Sequence, residues 1–469
     1  MKGLSRLPAL AGALFAAQSA MAIQLDITNV NSIQTAASTI AHGMMFYYTG
    51  NQTGGTPGLL PAPYYWWEAG AMFGMCTQDV VSQALLFQTG PDADFMPPNQ
   101  TKSEGNDDQG FWGMAAMSAA EVKFPNPSPS QPQWLALAQA VFNSQALRWD
   151  NTSCAGGLKW QIFTFNTGYN YKNSISNGCF FNLAARLGYY TKNQTYLDWA
   201  EREWEWVESV GLISPIYQVR KCDVEPGKLP TPSSPAIHPL SLPYPPPTNP
   251  TLLRATQTTG ATQATWEARV RGLLTATSVF FQNNIMFEVA CEPSNNCDTD
   301  QQSFKAYLSR WMVASSKVAP FVADLVALQL QTSAKAAAAS CSGGNDGVTC
   351  GTKWTVGAWD NTWGVGQQMN ALEVIQGLLI DSVPGPVSNT TGGISVGNPA
   401  AGTGGDTNPG APTGRISTGD RAGAGILTAG ILVALLGGAW YVFSIIPPSP
   451  VLFRLLSRML GSSRVGDTE

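Results

Sequence analysis

An all-α fold of serial helical hairpins is what this chain predicts, on three observations. Apolar residues recur at helical spacing in segments set roughly 20–40 residues apart. Strand-like alternation is scarce, and the segments are joined by polar or aromatic loops. Antiparallel helix pairs in such a series imply a stacked or closed α/α toroid whose loops form a cleft at one end. The 469 residues exceed one ordinary core of about 150 residues, and a large α/α barrel accommodates them as a single domain.

Residues 1–22 read as a signal peptide, with Lys2 and Arg6 before an apolar core and Ala20-Met21-Ala22 as the cleavage site. An oxidising compartment follows, where disulfides persist. The eight cysteines lack paired C-x-x-C spacing, which disfavours zinc. Their even number suits four disulfides, with Cys291–Cys297 and Cys341–Cys350 as local loops. Sequons at Asn51, Asn99, Asn151, Asn193 and Asn389 fit a lumenal chain.

Only 12% of residues are charged, while 15 Trp, 13 Tyr and 19 Phe make the chain aromatic-rich. Uncharged polar groups and rings suit sugars, whose C–H faces stack and whose hydroxyls seek amides and carboxylates. A net charge of −5 gives no footprint for nucleic acid. Two histidines argue against a His-based metal site or a Ser-His catalyst, and no cofactor is implied.

Along the chain, residues 29–48 form a helix with Ile33, Ala37, Ile40, Ala41 and Met44 on one face. The stretch Tyr64-Tyr65-Trp66-Trp67-Glu68-Ala69-Gly70 then opens a helix reaching about residue 88. It sets Glu68 among rings, as a sugar subsite or an aromatic core edge. Next, Gly105-Asn106-Asp107-Asp108-Gln109-Gly110-Phe111-Trp112 starts a helix running to about residue 122. Asn106 or Asp107 can cap it, and its acidic first turn favours the helix dipole. Phe111, Met114, Ala115 and Ser118 face inward, and Trp112 is placed to stack on a ligand. Helices follow at 133–148, 173–188 and 196–210, with Asn166 and Tyr169 in the loop between the first two. Residues 225–259 are too Pro-dense for helix or central strand. Helices resume at 265–281, at 302–339 and at 367–380. Residues 383–422 read as a Gly/Pro/Thr/Ser stalk. Residues 423–446 carry no charge and are long enough to cross a bilayer. They form a membrane span or a GPI-signal segment before a basic tail, 447–469, with Arg454, Arg458 and Arg464.

These motifs resemble glycoside hydrolase family 76, in particular its fungal cell-wall mannan endo-1,6-alpha-mannosidases. The segments Gly157-Leu158-Lys159-Trp160-Gln161-Ile162, Asn177-Gly178-Cys179-Phe180-Phe181-Asn182 and Asp300-Gln301-Gln302-Ser303-Phe304-Lys305 add to the likeness. It spans about residues 25–381 and is interrupted at 225–259. The resemblance implies an (α/α)6 barrel over residues 23–382, a six-hairpin toroid carrying the stalk and membrane anchor. It also implies retaining hydrolysis or transfer at alpha-1,6-linked mannose, with Asp107 as nucleophile and Asp108 as acid/base. Trp66, Trp67, Glu68, Trp112, Asn166 and Tyr169 are then candidate substrate contacts. The implied partners are alpha-1,6-mannan or a GPI-core glycan, a beta-glucan acceptor, and the outer face of the plasma membrane or the cell wall. A catalytically inactive mannan-binding wall protein is the alternative.

Overall fold

The computed structural model describes residues 22–73, 78–100, 102–215, 217 and 258–404. The chain divides at Pro409/Gly410, and all described residues belong to the first unit. The expected signal peptide, the core of the Pro-dense segment, the apolar segment 423–446 and the basic tail lie outside the described residues. No helix among the described residues is long and apolar enough to cross a membrane.

The described domain is mostly helical. Its α-helices are α1 (Val30–Met45), α2 (Trp66–Met72), α3 (Gln78–Phe87), α4 (Asn106–Glu121), α5 (Trp134–Leu147) and α6 (Ser174–Thr191). They continue with α7 (Gln194–Ser209), α8 (Gly260–Ala276), α9 (Phe304–Val318), α10 (Ala323–Ser340) and α11 (Val365–Gln376). Local chemistry sets many of the starts. The Asn29 side chain accepts from the backbone N–H groups of Asn31 and Ser32 and so begins α1. Asn173 does the same for α6 through Ser176, satisfying donors that have no intrahelical partner. The single helix expected over 302–339 is instead two, because Pro320 opens a 3-10 turn that separates α9 from α10.

Five helices run parallel. At their N-terminal ends, Asp107 of α4 meets Asn173 beside α6, and Trp67 of α2 meets Phe111 of α4 and Tyr307 of α9. At their C-terminal ends, Glu121 of α4 holds Arg186 of α6 through two oxygens. From the middle of α9, the Arg310 guanidinium reaches the Ala71 carbonyl near the end of α2 and pairs with Glu373 in the second half of α11 at 2.5 Å. Each of α2, α4, α6, α9 and α11 therefore presents its N terminus at one end of the domain. Their sequence neighbours run the other way: Val141 of α5 packs on Gly113, while Gln145, a turn later, donates to the Asn106 carbonyl at the start of α4. The first helix, α1, packs against the last, α11.

Two short hairpins interrupt the helices. β1 (Phe281–Gln282) pairs with β2 (Ile285–Met286) through Asn283 and Asn284, both with positive φ, as a tight hairpin turn requires. β3 (Cys341–Gly343) pairs with β4 (Thr349–Cys350), stapled by the Cys341–Cys350 disulfide. The Cys291–Cys297 bridge is also present. The expectation of four disulfides is corrected, because Cys154 and Cys179 are buried thiols; Cys76 and Cys222 lie outside the described residues. The stalk expected from residue 383 is also corrected for its first part. Residues 383–404 lie as a strap on α4, α5 and α6. Val387 donates to the Glu121 carbonyl, the Ser395 hydroxyl accepts from Leu135, and the Asn143 amide donates to the carbonyls of Pro399 and Ala401.

Core packing is tight where helices cross. Trp112 is fully buried, stacked between Trp66 and Phe95. A Cβ on Gly70 would stand 2.9 Å from three atoms of the Trp112 ring. That ring has no room to retreat, so Gly70→Ala is expected to destabilise the domain by about 1–3 kcal/mol. A chemical-denaturation midpoint equal to wild type would refute this.

Candidate active site

The start of α4 forms the floor of the N-terminal end. Gly105 is the N-cap, which corrects the expectation that Asn106 or Asp107 caps the helix. Gly105 pairs with Gln161 as an isolated bridge, and Asn106 N donates to the Trp160 carbonyl at 2.8 Å. The capping side chain is Asp108, whose Oδ2 accepts from Gly105 N at 2.7 Å. Asp107 Oδ1 accepts from Asp108 N at 3.1 Å, and its Oδ2 accepts from Asn173 Nδ2 at 3.3 Å. The Asn106 side chain serves as a bracket instead, donating to the Lys159 carbonyl and accepting from Arg148.

The electrostatics separate the two aspartates. Burial raises the pKa of both. For Asp107 the rise is opposed by the Asn173 amide and by backbone N–H groups. For Asp108 the neighbouring Asp107 charge adds to burial, and its pKa is held well above the usual carboxylate range. Asp107 is thus the first to ionise and Asp108 the one that keeps a proton, as like charges this close require.

Further groups emerged only from the structure. Glu104, 1% exposed, precedes the N-cap of α4, its pKa raised well above normal by burial and then by the Asp108 charge. Arg148 is anchored on Asn106 and Gln109 and is the cation facing Glu104 and Asp94. Asp300, at the start of the α9 region, accepts from Trp67 Nε1 at 3.1 Å, and burial raises its pKa to about 6. Its charge also acts on Asp107 and Asp108. The one sequence signal for Asn173 was its place ahead of a helical run, which marks a cap.

The expected substrate contacts divide. Trp112 and Trp66 are core residues; both are buried, and Trp66 Nε1 donates to Gln88. This corrects their assignment as ligand platforms. Glu68 is fully buried as well, with Oε2 accepting from Tyr65 N at 2.8 Å, so it caps α2 and offers no surface to a sugar. Trp67 is half-buried beside Asp300. Asn166 and Tyr169 lie in the 160–171 loop, where Asn166 donates to Gln161 and Lys159 Nζ lies 4.1 Å over the Tyr169 ring. Asn51, Asn99, Asn151, Asn193 and Asn389 are all exposed. A cavity of about 430 Å³ lies among the middle and C-terminal parts of the parallel helices, and neither aspartate lines it. Phe111, Met114, Ala115 and Ser118 line it with Arg186 and Arg310.

Consecutive carboxyl groups at the convergent N termini of parallel helices are an arrangement that suits a carboxylate-pair glycosidase. The match to known proteins is specific. The model of glycosyl hydrolase family 76 covers residues 32–228 and 249–390. The chain is 45% identical over 456 residues to mannan endo-1,6-alpha-mannosidase DCW1 of Saccharomyces cerevisiae, covering 92% of this chain and 98% of that one. It is 43% identical to DFG5 of the same yeast, named as the same activity, over 90% and 94% of the two chains. The crystal structure of Dfg5 from Chaetomium thermophilum in complex with glucosamine is 40% identical, with a TM-score of 0.73 over 80% of this chain and 97% of that one. The GH76A alpha-1,6-mannanase of a Salegentibacter species shares the fold at 12% identity and a TM-score of 0.57, over 74% and 99%. This chain belongs to glycosyl hydrolase family 76 and is a glycoside hydrolase.

The buried Glu68 sets a pH dependence of stability. Burial raises its pKa to about 8 from an ordinary 4.5. A raised folded-state pKa gives stability that is complete below the unfolded value and is lost as pH rises through the folded one. The wild-type melting temperature is expected to fall between about pH 4.5 and about pH 8. Glu68→Gln keeps the oxygen that caps α2 but cannot ionise, so its decline over the same window should be shallower. Parallel curves in a fluorimetric pH series would contradict the assignment.

Proposed function

We propose that this protein is a retaining endo-alpha-1,6-mannosidase or transglycosidase. The observation that carries this reading is the Asp107–Asp108 pair at the N terminus of α4, its two members separated in proton affinity. A retaining mechanism uses carboxyl groups about 5–5.5 Å apart, a spacing open to consecutive side chains and too short for the intervening water of an inverting site. Asp107 attacks C1 of a mannosyl unit. The C1–O6 bond breaks, and the departing O6 takes the proton of Asp108. In the second step Asp108 removes a proton from water or from an acceptor hydroxyl, which attacks C1 and releases Asp107. The N–H groups of Asn173 and Asp108 on the Asp107 oxygens favour its ionised form before attack and after release.

The five parallel helices fit part of an (α/α)6 ring. The names of the relatives favour alpha-1,6-mannan as the substrate class, with a GPI-core glycan and a beta-glucan acceptor as the transfer version of the same chemistry. Secretion, N-glycosylation at the five exposed sequons, and a membrane-tethered position at the plasma membrane or cell wall follow from the sequence features and form part of the same proposal.

Two variants separate the roles. Asp107→Asn is expected to abolish turnover of alpha-1,6-mannooligosaccharides and of aryl alpha-mannosides alike. Asp108→Asn should lose about 10²–10⁴-fold on oligosaccharides. It should still form the glycosyl-enzyme from an aryl mannoside, whose leaving group departs without a proton. Wild-type rates in either folded variant, measured by mass spectrometry of products, would overturn the reading. Adding a glucan acceptor to the wild-type reaction decides between hydrolysis and transfer.

A further inference from the structure

Burial of Trp66 and Trp112 removes two of the four rings that the sequence had offered as platforms, and leaves Trp67 and Tyr169 half-buried. More open rings lie elsewhere. Trp363 is 63% exposed and is the only exposed tryptophan among the described residues; Tyr65 is 52% exposed. Both lie at the end of the domain that carries the aspartate pair. Tyr65 is the N-cap of α2, and Trp363 precedes Gly364, the N-cap of α11. The two starts are tied together, since Val365 N donates to the Tyr64 hydroxyl at 3.0 Å. Asp300 belongs to the same corner. It holds Trp67 Nε1, and its charge is the largest influence on the Tyr65 phenol, raising its pKa.

The display of Trp363 is built rather than incidental. Gly364 has φ +153°, and a Cβ there would stand 2.6 Å from Gln367 Oε1 and 2.8 Å from the Tyr64 hydroxyl oxygen. Ahead of it, the Thr362 hydroxyl donates to Asp360 Oδ1 at 2.6 Å, and Trp359 Nε1 donates to the Thr362 carbonyl at 2.6 Å. A large indole held in water by a braced loop loses little conformational freedom when a ligand covers it. Exposed aromatic faces beside a carboxylate match a pyranose, whose C–H face stacks on a ring while its hydroxyls donate to the acid.

We propose that Tyr65 and Trp363 form a pyranose-stacking subsite at the mouth of the cleft, with Asp300 accepting hydrogen bonds from the hydroxyls of the sugar they hold. This rests on the reading of the chain as an alpha-1,6-mannan enzyme. The subsite holds a mannosyl unit other than the one attacked at Asp107, so it governs chain-length preference rather than the chemical step.

The test is calorimetric titration of alpha-1,6-mannotetraose into the full chain carrying Asp107→Asn, which separates binding from turnover. In that background Trp363→Ala and Tyr65→Ala are each expected to raise Kd about tenfold, a typical worth of one aromatic stacking contact. Trp363→Phe should recover most of the loss, and Leu328→Ala, an exposed apolar residue on α10, should bind as the parent does. Unchanged Kd in both alanine variants overturns the subsite. If the tetrasaccharide fails to bind the parent protein, the mannan reading fails instead. The same titration is then run with alpha-1,6-glucan, beta-1,3-glucan and chitin oligosaccharides. Binding of any of them that Trp363→Ala weakens supports the subsite; binding of none, or binding that the variant leaves intact, overturns it.

Discussion

The site depends on keeping two carboxyl groups side by side at one helix start. Two unit charges about 5 Å apart repel by roughly 3 kcal/mol at an effective dielectric near 20. A helix N terminus returns about 0.3–1 kcal/mol to a carboxylate at the surface, and up to about 2 when partly buried. The dipole alone therefore cannot keep both ionised, and one proton must stay. Hydrogen bonding decides which group keeps it. Asp107 receives two N–H donors on separate oxygens, whereas Asp108 spends one oxygen on the Gly105 N–H and faces the Asp107 charge. An asymmetry of one hydrogen bond to a charged group, worth about 1.5–3 kcal/mol, is enough to set the order of ionisation.

The remaining architecture secures that asymmetry. Asn173 begins α6 with its carbonyl oxygen and reaches Asp107 with its amide nitrogen, so one side chain fixes the helix start and favours the ionised form of Asp107. Asn177, one turn on, holds Leu158 through both its N–H and its carbonyl, which ties the 157–161 loop to α6. That loop in turn accepts from Asn106 N and pairs with Gly105. The aromatic residues beneath are scaffolding: the Trp66–Trp112–Phe95 stack packs α4 against α2.

The helices and the pair were legible because their signals are local: periodicity, polar caps, and two acids in a first turn. Where the sequence misled, the deciding term was tertiary. Trp66 and Trp67 are adjacent and point about 100° apart on a helix, so composition cannot tell which faces the core. Gly70, one turn after Trp66, was the available sign that a bulky group approaches that face. The cap of α4 was missed because glycine has no side chain to announce it; the capping oxygen arrives from three residues ahead. Residues 383–404 have the composition of a linker, yet Gln133, Gln139 and Asn143 near and along α5 satisfy the strap's backbone. Amides spaced along one helix were the trace of a partner, visible only once the strap is in place.

The same local device occurs twice with opposite consequences. In α2, Glu68 takes the N–H of its N-cap Tyr65; in α4, Asp108 takes the N–H of its N-cap Gly105. Both are acids at the third helical position, and burial raises the pKa of both. Glu68 is sealed at 0% exposure and can exchange a proton only when the structure opens. Asp108 is half-buried at the cleft, with an ionisable neighbour on the adjoining residue. Access and a second carboxylate, not the capping geometry or the raised pKa, distinguish Asp108 from Glu68. A motif that records only an acid three residues after a cap therefore finds both, and the adjacency of Asp107 is what separates them.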